Sequence, residues 1–302
     1  MTKPFFSVVI PTHNRSDLLK RAIKSVIAQT YENFEIIVVD DQSTDDTAKM
    51  VNMFSDVRVC YFLNKRTKGA CGDRNTGILA SEGKWIAFLD DDDFWLPDKL
   101  LHQFCLIEKS TNSVGVICTD YAIQKQGEEK LRLRKNRPSG WGYDKVLYGN
   151  YVHCLSSTCV RHDILSSVSG FDELLASKQD QDLWLRAARL AEFSSVPEID
   201  VIMQHAKSGR ISTNYLTKLD GHTHFRNKHA ELINRSLRLR HRYDAYIFIY
   251  AMILKKKAYA IKSLPWFLLG IFVDLPKCLQ TYRAAVLHWY RSRTQIFNTP
   301  WS

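Results

Sequence analysis

No stretch of this 302-residue chain approaches the roughly 18 consecutive apolar residues that a membrane-spanning helix needs. Cysteine occurs seven times, at 60, 71, 105, 118, 154, 159 and 278, in odd number and never as a C-x-x-C pair. Neither a zinc site nor a disulfide framework follows; the thiols read as reduced and mostly buried, as in the cytoplasm. A strand pattern begins directly after Met1-Thr2-Lys3-Pro4, so no signal peptide is expected. Internal repeats and nucleic-acid-binding modules are also lacking, and nucleic acid is not an expected partner. Acidic residues run short in one region only. Residues 221–302 hold 3 Asp and Glu against 14 Lys and Arg, whereas the preceding 220 hold 29 against 28. The net charge of +10 therefore belongs to the tail, which implies an anionic partner for that segment.

What remains is ordinary for a globular protein, with 45% hydrophobic and 25% charged residues. In the first hundred residues apolar runs alternate with helical spacing. Phe6 to Ile10 predicts a strand stopped by Pro11, Asp17 to Ala28 a helix, and Phe34 to Val39 a second strand ending in Asp40-Asp41. Ser43 to Asp46 caps a helix reaching about Phe54; Val57–Leu63 is a third strand, Arg74–Ala80 a helix, and Trp85–Leu89 a fourth strand. Continuous apolar strands in such alternation imply an α/β fold with a parallel sheet covered on both faces. Beyond 115 the pattern loosens. Gly115–Thr119 and Ser156–Val160 read as strands, 124–140 as a charged, mobile loop, Gly170-Phe171-Asp172 as a turn, and Asp180–Leu190 as a helix with Trp184 in the core.

The most informative run is Trp85 to Asp93, a short apolar strand ending in four consecutive aspartates. Adjacent carboxylates repel, and hard oxygen ligands suit Mg²⁺ or Mn²⁺ held together with substrate phosphates. An isolated acidic run is more often a solvated loop, but this one closes a buried strand. Ligands of doubly wound sheets gather beyond the carboxyl ends of the strands. Pro11-Thr12-His13-Asn14, Asp40-Asp41 and Asp90 to Asp93 all fall on that rim.

Five segments carry a more specific signal. Ser7 to Arg15, Val38 to Asp45, Arg74 to Ile78, Phe88 to Asp92 and Gln179 to Arg186 occur in one order and spacing across roughly residues 5–215. Together they resemble a family-2 glycosyltransferase of the GT-A fold, of the type that builds bacterial surface polysaccharide. The resemblance implies a doubly wound mixed or parallel sheet; the tail beyond 221 has no such match, and its own residues predict a C-terminal helical extension. The resemblance also implies a catalytic domain over 1–220, with a nucleotide-binding half to about 115 and an acceptor half over 116–220. The activity implied is inverting transfer of one sugar from a nucleotide-diphosphate donor, UDP favoured, to a hydroxyl of a glycan or lipid-linked acceptor. By the family pattern Asp92 binds Mn²⁺ or Mg²⁺, with Asp90 and Asp91 completing the element, and His205 is a further metal or phosphate contact. Asp180 is the base, although Gln179 stands where the family more often has Glu; Asp182 is the alternative base. Pro11, Thr12, Asn14, Arg15 and Asp40 surround the nucleotide, Asp41 caps the next turn, and Arg74 and Asn75 approach the nucleotide. Arg74 reads equally well as a buried partner of Asp90, and Trp95 as a sugar platform or as core.

No Q-x-x-R-W element follows Asp180, which favours single-residue addition over processive synthesis. Two other classes compete. A nucleotidyltransferase would want a Gly-rich, basic loop after the first strand, where this chain has Pro11-Thr12-His13-Asn14-Arg15. A non-catalytic sugar-nucleotide-binding module would not need Asp180 and Asp92. The tail, 221–302, combines aromatic, aliphatic and basic residues around 235–273 and predicts helices lying on an anionic membrane, at the cytoplasmic face of the plasma membrane. Packing as an ordinary helical subdomain is the competing expectation.

Overall fold

The computed structural model describes residues 3–125, 127–149, 151–205 and 214–273. The chain divides into two compact units, Met1–Glu173 with Gln179–Ser208, and Leu174–Lys178 with Gly209–Ser302. The first is built on a nine-stranded mixed sheet. Four strands run parallel in the order β3-β2-β1-β4: β1 (Phe6–Thr12), β2 (Phe34–Asp40), β3 (Val59–Leu63) and β4 (Trp85–Phe88). Between them lie α1 (Ser16–Ile27), α2 (Thr47–Asn52) and α3 (Ala70–Ala80). Every residue of β1 and β4 is buried, as continuous apolar runs covered on both faces require. Helix α1 presents Leu19, Ala22, Ile23 and Val26 to the core at helical spacing.

Strand β1 runs through Pro11, where the sequence predicts a stop. The bond from Leu89 N–H to the Val9 carbonyl shows that odd-numbered residues of β1 face β4. Pairing on that side ends at Val9–Phe88. Pro11 thus faces a place where no strand needs its missing N–H.

The second half of the sheet contains β5 (Phe94–Trp95), α4 (Lys99–Lys109), β6 (Val114–Lys125), β7 (Leu131–Arg134), α5 (Tyr143–Tyr148), β8 (Thr158–Arg161), α6 (His162–Ser167), α7 (Gln179–Ala187) and β9 (Glu192–His205). Strand β8 runs antiparallel to β4 and links the halves; β6, β9 and β5 follow, and β7 pairs with the far end of β6. The charged segment 124–140 is therefore not simply a loop. Leu131 to Arg134 form four successive antiparallel pairs with Tyr121 to Gln124. Strand β9, whose polar residues hide its pairing with β6, has no counterpart in the sequence reading.

The second unit is helical: α8 (Tyr215–Lys228), α9 (Ala230–Asn234), α10 (Leu237–Ile253) and α11 (Lys257–Val273). Asn214 and Ser236 cap α8 and α10 by accepting backbone N–H bonds, the expected use of short polar side chains at helix starts. Leu219, Ile247, Tyr250, Ala251 and Ala260 form its core. The segment Leu174–Lys178 packs against α8 at Gly221, where a Cβ would lie 2.1 Å from Ser177 Oγ and 2.7 Å from its carbonyl. A glycine inside a helix, usually destabilising, here permits that approach. Helix α11 buries Ala260 and Ser263 but leaves Ile261, Leu264, Leu268 and Leu269 exposed. Among the described residues no helix is long and apolar enough to cross a membrane.

Candidate active site

The carboxyl ends of β1, β2 and β4 meet at one rim because the strands are parallel neighbours in register, Thr12 opposite Asp40. Asn14 adopts a left-handed backbone, φ 52°, and joins two of the loops. Its Oδ1 accepts from the Thr44 N–H at 2.7 Å and the Asp45 N–H at 3.3 Å, while its own N–H donates to Ser43 Oγ at 2.8 Å. Asp40 is buried, accepting from the Ser43 N–H at 2.8 Å and from Tyr61 Oη at 2.6 Å. It is Asp40, rather than the predicted Asp41, that closes the turn after β2. Asp41 accepts instead from Asn64 Nδ2 and the Gly69 N–H, at 3.1 and 2.9 Å, fastening the start of α3.

The four aspartates divide their work. Asp91 is buried, accepting from Thr12 Oγ1 at 2.9 Å and from Arg15 at 3.0 Å. Burial lifts its pKa to about 6 against the pull of Arg15 and Thr12. Arg15 also lies 3.6 Å from Asp92. Asp90 accepts from Arg74 at 2.7 Å. Asp93, which the sequence reading leaves without a role, accepts from Ser156 Oγ at 2.6 Å and the Gln204 N–H at 3.0 Å. Burial first, then Asp90 and Asp92, raise Asp93 well above the ordinary carboxylate range. Carboxylate oxygens of Asp90, Asp92 and Asp93 all lie within 4.8 Å of one another. Three oxygens that close fit one divalent cation, and their mutual repulsion is what a cation would neutralise. The arrangement adds Asp93 to the predicted Asp92; its place at the end of the Asp run was the available signal. His205 ends β9 opposite Lys125, but its side chain, like 206–213, lies outside the described residues.

Arg74 is buried on α3, so the reading as partner of Asp90 holds. Burial works against its charge, yet Asp90 and then Asp180 hold the guanidinium charged beyond its ordinary range. Asp180 lies in the first turn of α7. Burial raises its pKa, Arg74 opposes, and the charge of Asp90 adds to the rise. Asp180, distant in sequence from Asp90, thus feels the charge of the same Arg74 that pairs with Asp90. Asp182, the alternative base, is fully buried and held by Arg186, one turn along, at 2.7 Å.

Asn75 is engaged by the turn that follows α6. Its Nδ2 donates to the Phe171 carbonyl at 2.9 Å and Glu173 at 2.8 Å, and its Oδ1 accepts from the Phe171 N–H at 2.8 Å. It clamps the predicted turn at Gly170, whose φ of 64° and approach to Asn75 leave no space for a Cβ. Glu173, missed in the sequence, also accepts from Arg66 and the Thr67 N–H. Burial opposes its charge, but bonds from Asn75, Thr67 and Arg66 hold its pKa down to about 2. Trp95 and Trp184 are both core, 3% and 0% exposed; Trp95 Nε1 donates to the Ser156 carbonyl, so it is no sugar platform.

Comparison with known proteins identifies a family and a fold. The family model described as glycosyl transferase family 2 matches residues 7–168. The chain is 32% identical over 190 residues, 63% of its length and 72% of the relative's, to the Escherichia coli UDP-Glc:alpha-D-GlcNAc-diphosphoundecaprenol beta-1,3-glucosyltransferase WfgD. It is 31% identical over 245 residues, 77% of its length and 84% of the relative's, to the putative colanic acid biosynthesis glycosyl transferase WcaA of E. coli K12. Among solved structures, S. aureus TarS 1–349 in complex with UDP-GlcNAc superposes with a TM-score of 0.67 at 18% identity, covering 95% of this chain and 92% of that one. The mannosyltransferase PcManGT from Pyrobaculum calidifontis, in complex with GDP-Man and Mn²⁺, gives 0.59 at 15% identity, covering 98% and 87%. The last two likenesses establish the fold.

Proposed function

The chain belongs to glycosyl transferase family 2, and we propose that it moves one sugar, with inversion, from a UDP-sugar to a hydroxyl of a glycan carried on a lipid diphosphate. The observation that carries this reading is the close group of Asp90, Asp92 and Asp93 carboxylates at the strand-end rim of a chain in this family. The acceptor oxygen forms a bond to the anomeric carbon as the bond to the diphosphate breaks. The electron pair leaves with the diphosphate, and the acceptor proton passes to Asp180. A carboxylate whose pKa is raised by burial is a better base near neutral pH than an exposed one. Arg74 keeps that carboxylate ionised before the proton arrives. Asp90, Asp92 and Asp93 would hold Mn²⁺ or Mg²⁺, which when bound acts as a Lewis acid toward the departing diphosphate. Asp40, Thr12 and Arg15 line the nucleotide end, with Asn14 fixing the loop between them. Pro11 lies within β1, one residue before Thr12, and brings the strand to the nucleotide end.

The donor and acceptor classes rest on the name of the relative WfgD, which pairs UDP-Glc with a diphosphoundecaprenol-linked sugar. The exposed Ile261, Leu264, Leu268 and Leu269 of α11 and the tail's basic excess support action at the cytoplasmic face of an anionic membrane. The catalytic region proposed is 1–220, with 221–302 as membrane-facing tail. The test is UDP release across a panel of nucleotide sugars, with and without Mn²⁺, in the presence of a short-chain GlcNAc-diphospho-lipid. One UDP-sugar should be consumed only with both metal and acceptor. Release of pyrophosphate instead, or no consumption of any donor, would overturn the reading.

A further inference from the structure

The aspartates at 90–93 supply the carboxylates of the rim, but their spacing is held from elsewhere. Ser156 stands 63 to 66 positions further along the chain than the two aspartates it touches, in the single 3₁₀ turn Leu155–Ser157 that leads into β8. Strand β8 pairs antiparallel with β4, and this pairing carries Ser156 to the end of β4, where the Asp run begins. Its hydroxyl makes two bonds there. Oγ donates to Asp93 Oδ2 at 2.6 Å and accepts from the Asp90 N–H at 3.1 Å. One atom thus ties the main chain at Asp90 to the carboxylate of Asp93, and both residues belong to the group whose oxygens lie within 4.8 Å of one another.

Ser156 is itself built in. It is 1% exposed, and its carbonyl accepts from Trp95 Nε1 at 2.8 Å. Lys99 Nζ lies 3.6 Å from the centre of the Trp95 ring and donates to Gln103 Oε1 at 2.8 Å. Gln103 Nε2 in turn donates to the Ser157 carbonyl at 3.1 Å, and Asn136 Nδ2 to the Ser157 hydroxyl at 2.8 Å. The hydroxyl of Ser156 is therefore held in place before any ligand arrives. The two bonds on Asp93 come from neutral groups, the Ser156 hydroxyl and the Gln204 N–H, whereas Asp90 and Asp91 are bonded by guanidinium groups. A neutral donor orients a carboxylate without cancelling its charge, and a carboxylate accepting two bonds still has lone pairs for an ion. Groups that orient a metal's ligands in this way commonly set its affinity.

We propose that Ser156 is a positioning residue for the divalent cation, fixing Asp90 and Asp93 at the spacing in which they reach one ion together with Asp92. The proposal rests on the reading of these three aspartates as the cation ligands. Calorimetric titration of the full-length chain with Mn²⁺ alone, no nucleotide sugar present, tests it. Ser156→Ala should weaken Mn²⁺ binding about 10–100-fold. In turnover assays the Mn²⁺ concentration for half-maximal rate should rise by a similar factor, and the rate lost at low Mn²⁺ should return as Mn²⁺ is raised. Ser25→Ala is the control for packing. Ser25 Oγ accepts from the Trp95 N–H at 3.1 Å and donates to the Ala22 carbonyl at 2.7 Å, so its bonds support the same tryptophan and reach no aspartate. Mn²⁺ affinity in that variant should stay within about 2-fold of native. Ser156→Cys, close to serine in size but a weak donor, should lie between native and alanine, and it carries the test where the alanine chain fails to fold by its thermal midpoint. Native Mn²⁺ affinity in the folded Ser156 variants would overturn the role. So would an equal loss in Ser25→Ala, since any nearby cavity would then do the same. A native chain that binds no Mn²⁺ would overturn the cation reading and this role with it, whereas Mn²⁺ binding that ignores Ser156 would sink this role alone.

Discussion

Four carboxylates of the first unit stand side by side in the chain, at 90 to 93, whereas basic side chains of the second come from the scattered positions 178, 218 and 242. The acids each have a recorded donor or cation in reach: Arg74 for Asp90, Thr12 and Arg15 for Asp91, Arg15 for Asp92, Ser156 for Asp93. The residual repulsion falls among Asp90, Asp92 and Asp93, where one cation fits. In the helical unit Lys178, Lys218 and Arg242 lie over aromatic rings, 5.5 to 5.9 Å from their centres. Carboxylates held together thus point to a cation in the first unit, whereas basic side chains of the second are set against ring faces.

The largest effect expected is at the base. Asp180→Asn should leave UDP affinity nearly intact and reduce turnover about 10²–10⁴-fold, read as kcat at saturating donor and acceptor. An unaltered kcat would transfer the role elsewhere. Next come the cation ligands. Asp92→Asn and Asp93→Asn should each weaken Mn²⁺-dependent UDP binding about 10–100-fold while leaving metal-free UDP binding unchanged, which calorimetry resolves. A loss with Asp92→Asn alone would return Asp93 to a purely structural role with Ser156 and Gln204. Third, charge reversal at Lys255, Lys256 and Lys257 should lower co-sedimentation with anionic vesicles several-fold, and more at low salt than at high. Equal, negligible sedimentation with anionic and neutral vesicles would leave α11 as a packed helix.

The smallest effect sharpens the contrast inside the first unit. Asp73, buried on α3 with Oδ1 lacking a hydrogen-bond partner, has its pKa raised to about 8 by burial and then by Asp41, with Arg74 opposing. The folded chain therefore holds this proton where the unfolded chain, from its ordinary value of 3.8, has released it. Stability contributed by the group falls as pH rises from about 4 toward 8. Asp73→Asn should flatten that slope, raising the melting midpoint at pH 8 by about 2–4 °C with little change at pH 5. An unchanged slope would mean that Asp73 is ionised in the fold.

Local chemistry made much of this protein legible in its residues. Strands of 4–7 residues, mostly apolar, made β1, β2 and β4 legible, since burial on both faces favours such runs. Contiguous aspartates marked the cation rim, and five ordered segments marked the family. Lack of local pattern hid the rest. Strand β9 alternates too little to announce itself, because its place is set by pairing with β6. Asn75 and Asp180 lie in equally plausible motifs, and only their neighbours, Phe171 and Glu173 for one and Arg74 for the other, separate the clamp from the proposed base. The bonds from Ser156 to Asp90 and Asp93 were decided by tertiary structure alone. A hydroxyl bonds what lies near it in space, and the pairing of β8 with β4 sets that nearness where sequence spacing does not.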